Sequence, residues 1–254
     1  MIDLSDRRVL VTGGSRGIGA ACCRAFAAVG ASVCVHYRRA AEEAQRVLEG
    51  LNGLEGSSER RHFTVAADLS AETAARELLE FVEAEWGRLD CLVNNAAVWV
   101  HNPLESLNAG LLDDTWKLNV RAPFRLAQEA LPLLRRSDDG SIVNISSTAG
   151  QRGEAEYSPY AASKGAIIAL TKSWASELAP AVRVNSVAPG WVDTEMSESA
   201  FADGGRERIA ATIPLGRIAP PEDIAAPVVF LASPAARNIT GEILNVNGGS
   251  VLCG

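Results

Sequence analysis

Histidine, cysteine motifs and excess positive charge are all scarce in this chain, and each scarcity closes off a class of function. Histidine occurs 3 times, at His36, His62 and His101, too few and too scattered for a metal centre. The 5 cysteines, Cys22, Cys23, Cys34, Cys91 and Cys253, are odd in number and have neither metal-type nor C-x-x-C spacing. They read as reduced core fillers of a cytoplasmic protein. Lys and Arg total 24 against 31 Asp and Glu, a formal net charge of −7, which argues against nucleic acid as a partner. No apolar run reaches the roughly eighteen residues of a membrane span. The opening MIDLSDRRVLVTGG lacks an apolar stretch followed by a small-residue cleavage site. With no repeat, low-complexity tract or dividing linker, residues 1–254 read as one domain.

What is present is an alternation. Short apolar runs at 7–12, 32–37, 62–68, 90–95, 140–147, 182–188 and 242–248 read as strands. Helical patterns fill 17–29, 40–51, 71–86, about 111–136, 158–179 and 221–232. Strands alternating with helices of this length call for right-handed βαβ units and a parallel sheet. The strands are continuous apolar runs, as burial on both faces requires. The polar segment 52–61 reads as a surface loop, and 189 to about 220 as irregular.

The stretch STAGQRGEAEYSPYAASK (147–164) carries the strongest chemical signal. Tyr160 and Lys164 stand at i and i+4 on a predicted helix and share one face. Of the 3 tyrosines only Tyr160 has a lysine four residues on, and the chain has only 3 lysines. A free phenol ionises near pH ~10. An ammonium about 4–6 Å away lowers that value and makes the phenol a useful acid or base near neutrality. Ser147 lies at the end of the strand before it.

The turn Thr12-Gly13-Gly14-Ser15-Arg16-Gly17-Ile18-Gly19 joins the first strand to the first helix, the place for a phosphate-binding loop at a helix N-terminus. Its spacing is G-x-x-x-G-x-G. The second strand ends His36-Tyr37-Arg38-Arg39, with no carboxylate to hold a ribose 2′-hydroxyl. Arg38, with Arg16 in the turn, suits a 2′-phosphate, which favours NADP(H) over NAD(H).

With these residues in view, the chain resembles the short-chain dehydrogenase/reductase family over nearly its whole length. The resemblance rests on TGGSRGIG (12–19), AADL (66–69), NNAA (94–97), Asn119, Ser147, YAASK (160–164), VNSVAPGWVDTEM (184–196) and NVNGG (245–249). It implies an α/β Rossmann fold, a doubly wound seven-stranded parallel sheet of order 3-2-1-4-5-6-7. By the same resemblance Tyr160 is the general acid/base and Ser147 binds the substrate oxygen. Lys164 holds the nicotinamide ribose and lowers the Tyr160 pKa, and Asn119 holds a water in a proton relay. The cofactor set is Gly13, Ser15, Arg16, Gly17, Ile18 and Gly19 in the turn, with Tyr37 and Arg38 beyond the second strand. Asp68 and Leu69 border the adenine, and Asn94, Asn95 and Ala96 help position the cofactor. Pro189, Gly190, Val192 and Thr194 flank the nicotinamide and its phosphates. A homotetramer is implied, with helices 111–136 and 158–179 at one interface and the last strand at another. Two positions depart from the family pattern: Ala97 where a glycine is usual, and Asn247 where an aspartate is usual.

The closest look is to 3-oxoacyl-carrier-protein reductases and relatives acting on small ketones, sugars and polyols. Ser137-Asp138-Asp139 stands where carrier-protein reductases have basic residues, so an acyl carrier partner stays open but is not favoured over a free carbonyl substrate. Residues 191–213, with Gly204-Gly205, suit a mobile substrate lid. Trp99 and Trp191 are candidates for an apolar pocket, Glu154 and Glu156 for hydroxyl recognition. The competing readings are an NAD-dependent sugar or polyol dehydrogenase and a non-catalytic nucleotide sensor. The full set Asn119, Ser147, Tyr160 and Lys164 speaks against the sensor.

Overall fold

Valines and leucines in unbroken runs build a single seven-stranded parallel sheet of order β3-β2-β1-β4-β5-β6-β7. The computed structural model describes residues 2–54, 56 and 60–252. Cys253 and part of the 52–61 loop lie outside the described residues. In chain order the elements are β1 (Arg8–Val11), α1 (Gly17–Ala28), β2 (Ser32–Tyr37), α2 (Ala41–Asn52), β3 (Phe63–Ala66), α3 (Ala74–Trp86) and β4 (Cys91–Asn94). There follow α4 (Ala109–Trp116), α5 (Ala122–Leu134), β5 (Gly140–Ile145), α6 (Thr148–Arg152), α7 (Ser158–Leu178) and β6 (Val182–Pro189). The chain closes with α8 (Glu198–Phe201), α9 (Gly205–Thr212), α10 (Pro221–Ala232) and β7 (Ile243–Val246).

Alternate residues of each strand feed opposite faces. In β1, Val9 and Val11 join Phe26, Val33, Val35 and Ile224 under α1, α2 and α10, whereas Leu10 joins Leu78, Leu92, Leu126 and Ile142 under α3, α5 and α7. The strand order reverses between β1 and β4, so the crevice at their carboxyl ends is the natural ligand position of such a sheet.

Two expectations change. The helix read as continuous over 111–136 is split by a π-turn, Lys117–Arg121, centred on Asn119. One extra residue in the turn breaks the 3.6-residue register, which apolar periodicity does not report. The segment read as irregular holds a short 3-10 turn (Glu195–Ser197) and then α8 and α9. Gly204 takes a left-handed φ of 73° as the cap of α9, and a Cβ on Gly205 would lie 2.0 Å from the Ala200 carbonyl oxygen. The glycine pair therefore makes a tight corner between two helices.

The amino ends of four strands are tied by charge. Arg183 on β6 pairs with Asp139 at 3.0 Å and donates to the carbonyls of Leu231 and Ala236 at 2.8 and 3.2 Å. Arg7 reaches Asp139 and Asp90 at 3.6 and 3.7 Å, and Ser137 Oγ donates to Asp90 at 2.6 Å. Ser137 and Asp139 thus belong to an internal network before β5, on the order of 20 Å along the strand from Ser147. Of the three residues Ser137-Asp138-Asp139, only Asp138 is exposed. Removing the buried Arg183 by Arg183→Met strands Asp139 and the carbonyls it serves, and is expected to cost about 3 kcal/mol in urea unfolding. An unchanged midpoint would show the network to be dispensable.

Candidate active site

The glycine turn is held by its neighbours. Thr12 Oγ1 donates to the Val93 carbonyl at 3.1 Å and accepts from the backbone N–H of Asn95 and Ala96 at 2.9 and 3.1 Å, clamping the ends of β1 and β4 together. Asn95 Nδ2 donates to the carbonyls of Thr12 and Gly13 at 2.8 and 3.2 Å. A Cβ on Gly19 would fall 2.1 Å from the Gly13 carbonyl oxygen, so the turn closes only with glycine there. The α1 helix has no side-chain cap and no acidic residue in its first turn. Its first N–H groups are left to an anion.

His36 completes the turn, and the sequence analysis gave it no such role. Its Nδ1 accepts from Gly13 N–H at 3.1 Å and its Nε2 lies 3.0 Å from the Ala67 carbonyl, while Gly14 N–H donates to the His36 carbonyl at 2.8 Å. These partners require a neutral ring protonated on Nε2. Burial pushes its pKa down to about 4. The available signal was a histidine on an otherwise apolar strand, one position before the residues read for coenzyme choice.

At the carboxyl end of β5, Ser147 caps α6 by accepting from Ala149 N–H at 3.1 Å. A Cβ on Gly150 would stand 2.5 Å from the Lys164 backbone, so glycine lets α6 press against α7 and brings Ser147 beside Tyr160. The Ser147 side chain favours the ionised phenol, and both hydroxyls line one cleft. Lys164 is 4% exposed, and its Nζ donates to the Ile145 carbonyl at 2.8 Å and lies 5.8 Å from the Tyr160 ring centroid. Desolvation lowers the amine to about 8.

The expected depression of the phenol is not what this environment produces. Burial raises Tyr160 to about 12, the Ser147 side chain opposes that rise, and the Glu154 charge adds to it. The amine spends a hydrogen bond on Ile145 and is itself desolvated, so burial of the phenol wins. Tyr160 therefore stands as a neutral proton donor.

The remaining predicted residues divide. Ile18, Asn95, Pro189, Gly190, Val192 and Thr194 line, with Ser147, Tyr160 and Lys164, one cleft of about 790 Å³. Ser15 is buried within the turn. Arg16 is exposed and pairs with Glu195 at 2.6 Å. Tyr37, Arg38, Asp68 and Leu69 lie beyond the cleft at the ends of β2 and β3, where Asp68 accepts from Ser70 and Leu69 packs into the core. Asn94 departs from expectation: it sits inside the sheet, donating to Asn144 Oδ1 at 2.9 Å, and Asn95 takes the place on the turn. Asn119 is 2% exposed, accepts from Val98 N–H at 2.9 Å, and spends both amide hydrogens on the Val98 carbonyl and Ser163 Oγ at 2.9 and 3.1 Å. Trp99, Trp191 and Glu154 line the cleft, whereas Glu156 is exposed and faces His101 at 3.4 Å. Among the described residues no His/Cys/Asp/Glu group could hold a metal, and no helix is long and apolar enough to cross a membrane.

Comparisons agree with this geometry. A family model described as enoyl-(acyl carrier protein) reductase matches residues 13–250. The chain is 36% identical over 244 residues to the 3-oxoacyl-[acyl-carrier-protein] reductase FabG of Staphylococcus aureus, covering 96% of this chain and 97% of that protein. A short-chain dehydrogenase/reductase from Brucella melitensis, described as a glucose/ribitol dehydrogenase, superposes with a TM-score of 0.92 at 32% identity, covering 99% of both chains. The Pseudomonas aeruginosa RhlG/NADP active-site complex superposes at 0.89 with 36% identity over 98% of both chains.

The His36 environment sets a pH dependence. Its folded pKa lies below the ordinary value, so between about pH 6.5 and 4 the unfolded chain binds a proton that the folded chain refuses. This stability is fully present above about pH 6.5 and is lost as pH falls toward 4, about 3 kcal/mol at the limit. Urea midpoints at pH 7 and 4.5 are expected to converge in His36→Gln relative to the parent protein. An identical loss in both would assign the pH effect to other groups.

Proposed function

The chain belongs to the short-chain dehydrogenase/reductase family, and on that premise we propose that it transfers hydride between NADP(H) and a carbonyl or secondary alcohol. One observation carries the reading. The hydroxyls of Ser147 and Tyr160 and the buried amine of Lys164 face the same cleft as Ile18 and Asn95 beside the uncapped α1 terminus. The residues fit a dinucleotide, because the glycine turn removes side chains where a pyrophosphate would approach and leaves helix N–H groups unpaired. When bound, the nicotinamide supplies or takes the hydride.

The chain's own residues do the rest. Ser147 Oγ donates to the substrate oxygen and orients the carbonyl. Tyr160, neutral in its pocket, delivers a proton to that oxygen as negative charge builds on it, and recovers one in the reverse direction. Lys164 holds ribose hydroxyls. Asn119 holds a water in a proton relay. Asn94 acts indirectly, by bracing β4 against β5.

NADP(H) is favoured over NAD(H). Arg38 and Arg39 are exposed at the end of β2 with no salt bridge among the described residues, and Arg16 is shared only with the exposed Glu195. A free carbonyl compound is favoured over an acyl-carrier substrate, because the exposed Asp138 stands where a cation would meet an acidic carrier. Residues 191–213 serve as the substrate lid of one catalytic domain spanning 1–254, since Met196 and Ser197 face the cleft from its first turn. The exposed Trp116 and Phe124 supply apolar surface for a homotetramer. Four buried free cysteines suit a cytoplasmic setting.

Two substitutions test this. Tyr160→Phe is expected to lower turnover about 10³-fold while leaving the Kd for NADPH within a few-fold; retained turnover would remove Tyr160 from the chemistry. Arg38→Asp is expected to shift the NADPH/NADH ratio of kcat/KM toward NADH by about tenfold or more. An unmoved ratio would contradict the assignment of the β2 end.

A further inference from the structure

Glu154 lines the cleft on the turn between α6 and α7, half-buried, and none of the steps above uses it. Its Oε2 accepts the indole N–H of Trp99 at 3.2 Å. No second hydrogen bond or ion pair engages the carboxylate among the described residues. The group cannot easily swing away, because its indole partner is itself fixed. Trp99 stacks on Tyr157 with centroids 4.3 Å apart and planes at 10°, and meets Trp191 edge-on at 6.1 Å and 87°. Tyr157 is backed in turn by His101 at 5.4 Å. Glu154 lines the same cleft as Ser147 and Tyr160, only six residues before the phenol in sequence.

The carboxylate lines the cleft with acceptor capacity beyond the Trp99 contact, which a donor on a ligand can use. An anionic group would be repelled. A cation is disfavoured by Arg152, which lines the same cleft and acts electrostatically on Glu154. A neutral hydroxyl meets neither objection. The indoles of Trp99 and Trp191 then offer an apolar face for the carbon skeleton bearing it.

We propose that Glu154, held by Trp99, forms a subsite for a hydroxyl next to the reacting carbonyl, so that the substrate class is a neutral hydroxyketone or, in reverse, a vicinal diol. This deepens the proposed carbonyl/alcohol chemistry and rests on it. The shared chemistry is the adjacent hydroxyl, and the skeleton is either an aliphatic polyol or a hydroxylated aromatic compound.

The test is calorimetric titration of the NADP⁺-supplied protein with two matched pairs: cyclohexanol against cis-1,2-cyclohexanediol, and 1-phenylethanol against 1-phenyl-1,2-ethanediol. A hydrogen bond to a charged acceptor predicts that one diol binds about tenfold or more tighter than its monoalcohol. The pair with the larger ratio identifies the skeleton. The ratio is expected to fall several-fold in Glu154→Gln, which keeps an uncharged acceptor, and to approach unity in Glu154→Met. Equal affinity for both members of each pair, a ratio unchanged in Glu154→Met, or no binding of any of the four would overturn the subsite. Oxidation of the bound diol, followed by NADPH absorbance, is read separately. Its absence beside an intact ratio would count against the hydride-transfer reading and leave the subsite standing.

Discussion

The amine of Lys164 is buried against the Ile145 carbonyl, and the arrangement of the cleft follows from that contact. An ammonium shut away from water without a carboxylate is unfavourable, which is why its pKa falls to about 8. It is held there by its hydrogen bond to the Ile145 carbonyl, where α6 and α7 approach closely at Gly150. The same close approach brings Ser147 to Tyr160. A bulkier residue at position 150 would separate these groups at once. The neutral phenol is a consequence of this dryness.

The opposite end of the cleft uses the same economy of backbone contacts. Thr12, Asn95 and His36 each spend side-chain hydrogen bonds on main-chain groups of the glycine turn or of the strands beside it. None of them needs to touch a ligand to matter, since a turn with this many glycines has no side chains of its own to hold its shape. His36 also joins the turn to the end of β3, through Gly13 N–H on one side and the Ala67 carbonyl on the other.

Between the two ends, the 191–213 segment is anchored at its root by backbone contacts and held farther out by exposed side chains. Val192 bridges Ala219, and Asp193 N–H donates to the Ala219 carbonyl at 2.9 Å. Farther out, Arg206 pairs with Asp193 and lies 4.7 Å over the Phe201 ring, both at exposed positions where such contacts are worth on the order of 1 kcal/mol or less. The Arg16–Glu195 pair spans the turn and this segment with equally little energy.

Apolar runs and glycine positions along the chain were enough to determine the βαβ frame, the sheet and its two-sided burial, because strand and helix periodicities are local properties of the backbone. The i, i+4 spacing of Tyr160 and Lys164 and the glycines of the first turn were legible for the same reason. Tertiary structure alone decided the rest. Whether Asn94 or Asn95 meets the turn depends on which face of β4 is covered, and the π-turn at Asn119 shifts register without altering composition. The role of His36 depends on a neighbouring strand 31 residues away in sequence. The ionisation of Tyr160 was the largest departure: spacing reports that an amine is near, whereas the pKa is set by how much water the packed helices exclude, and that is a property of the whole fold.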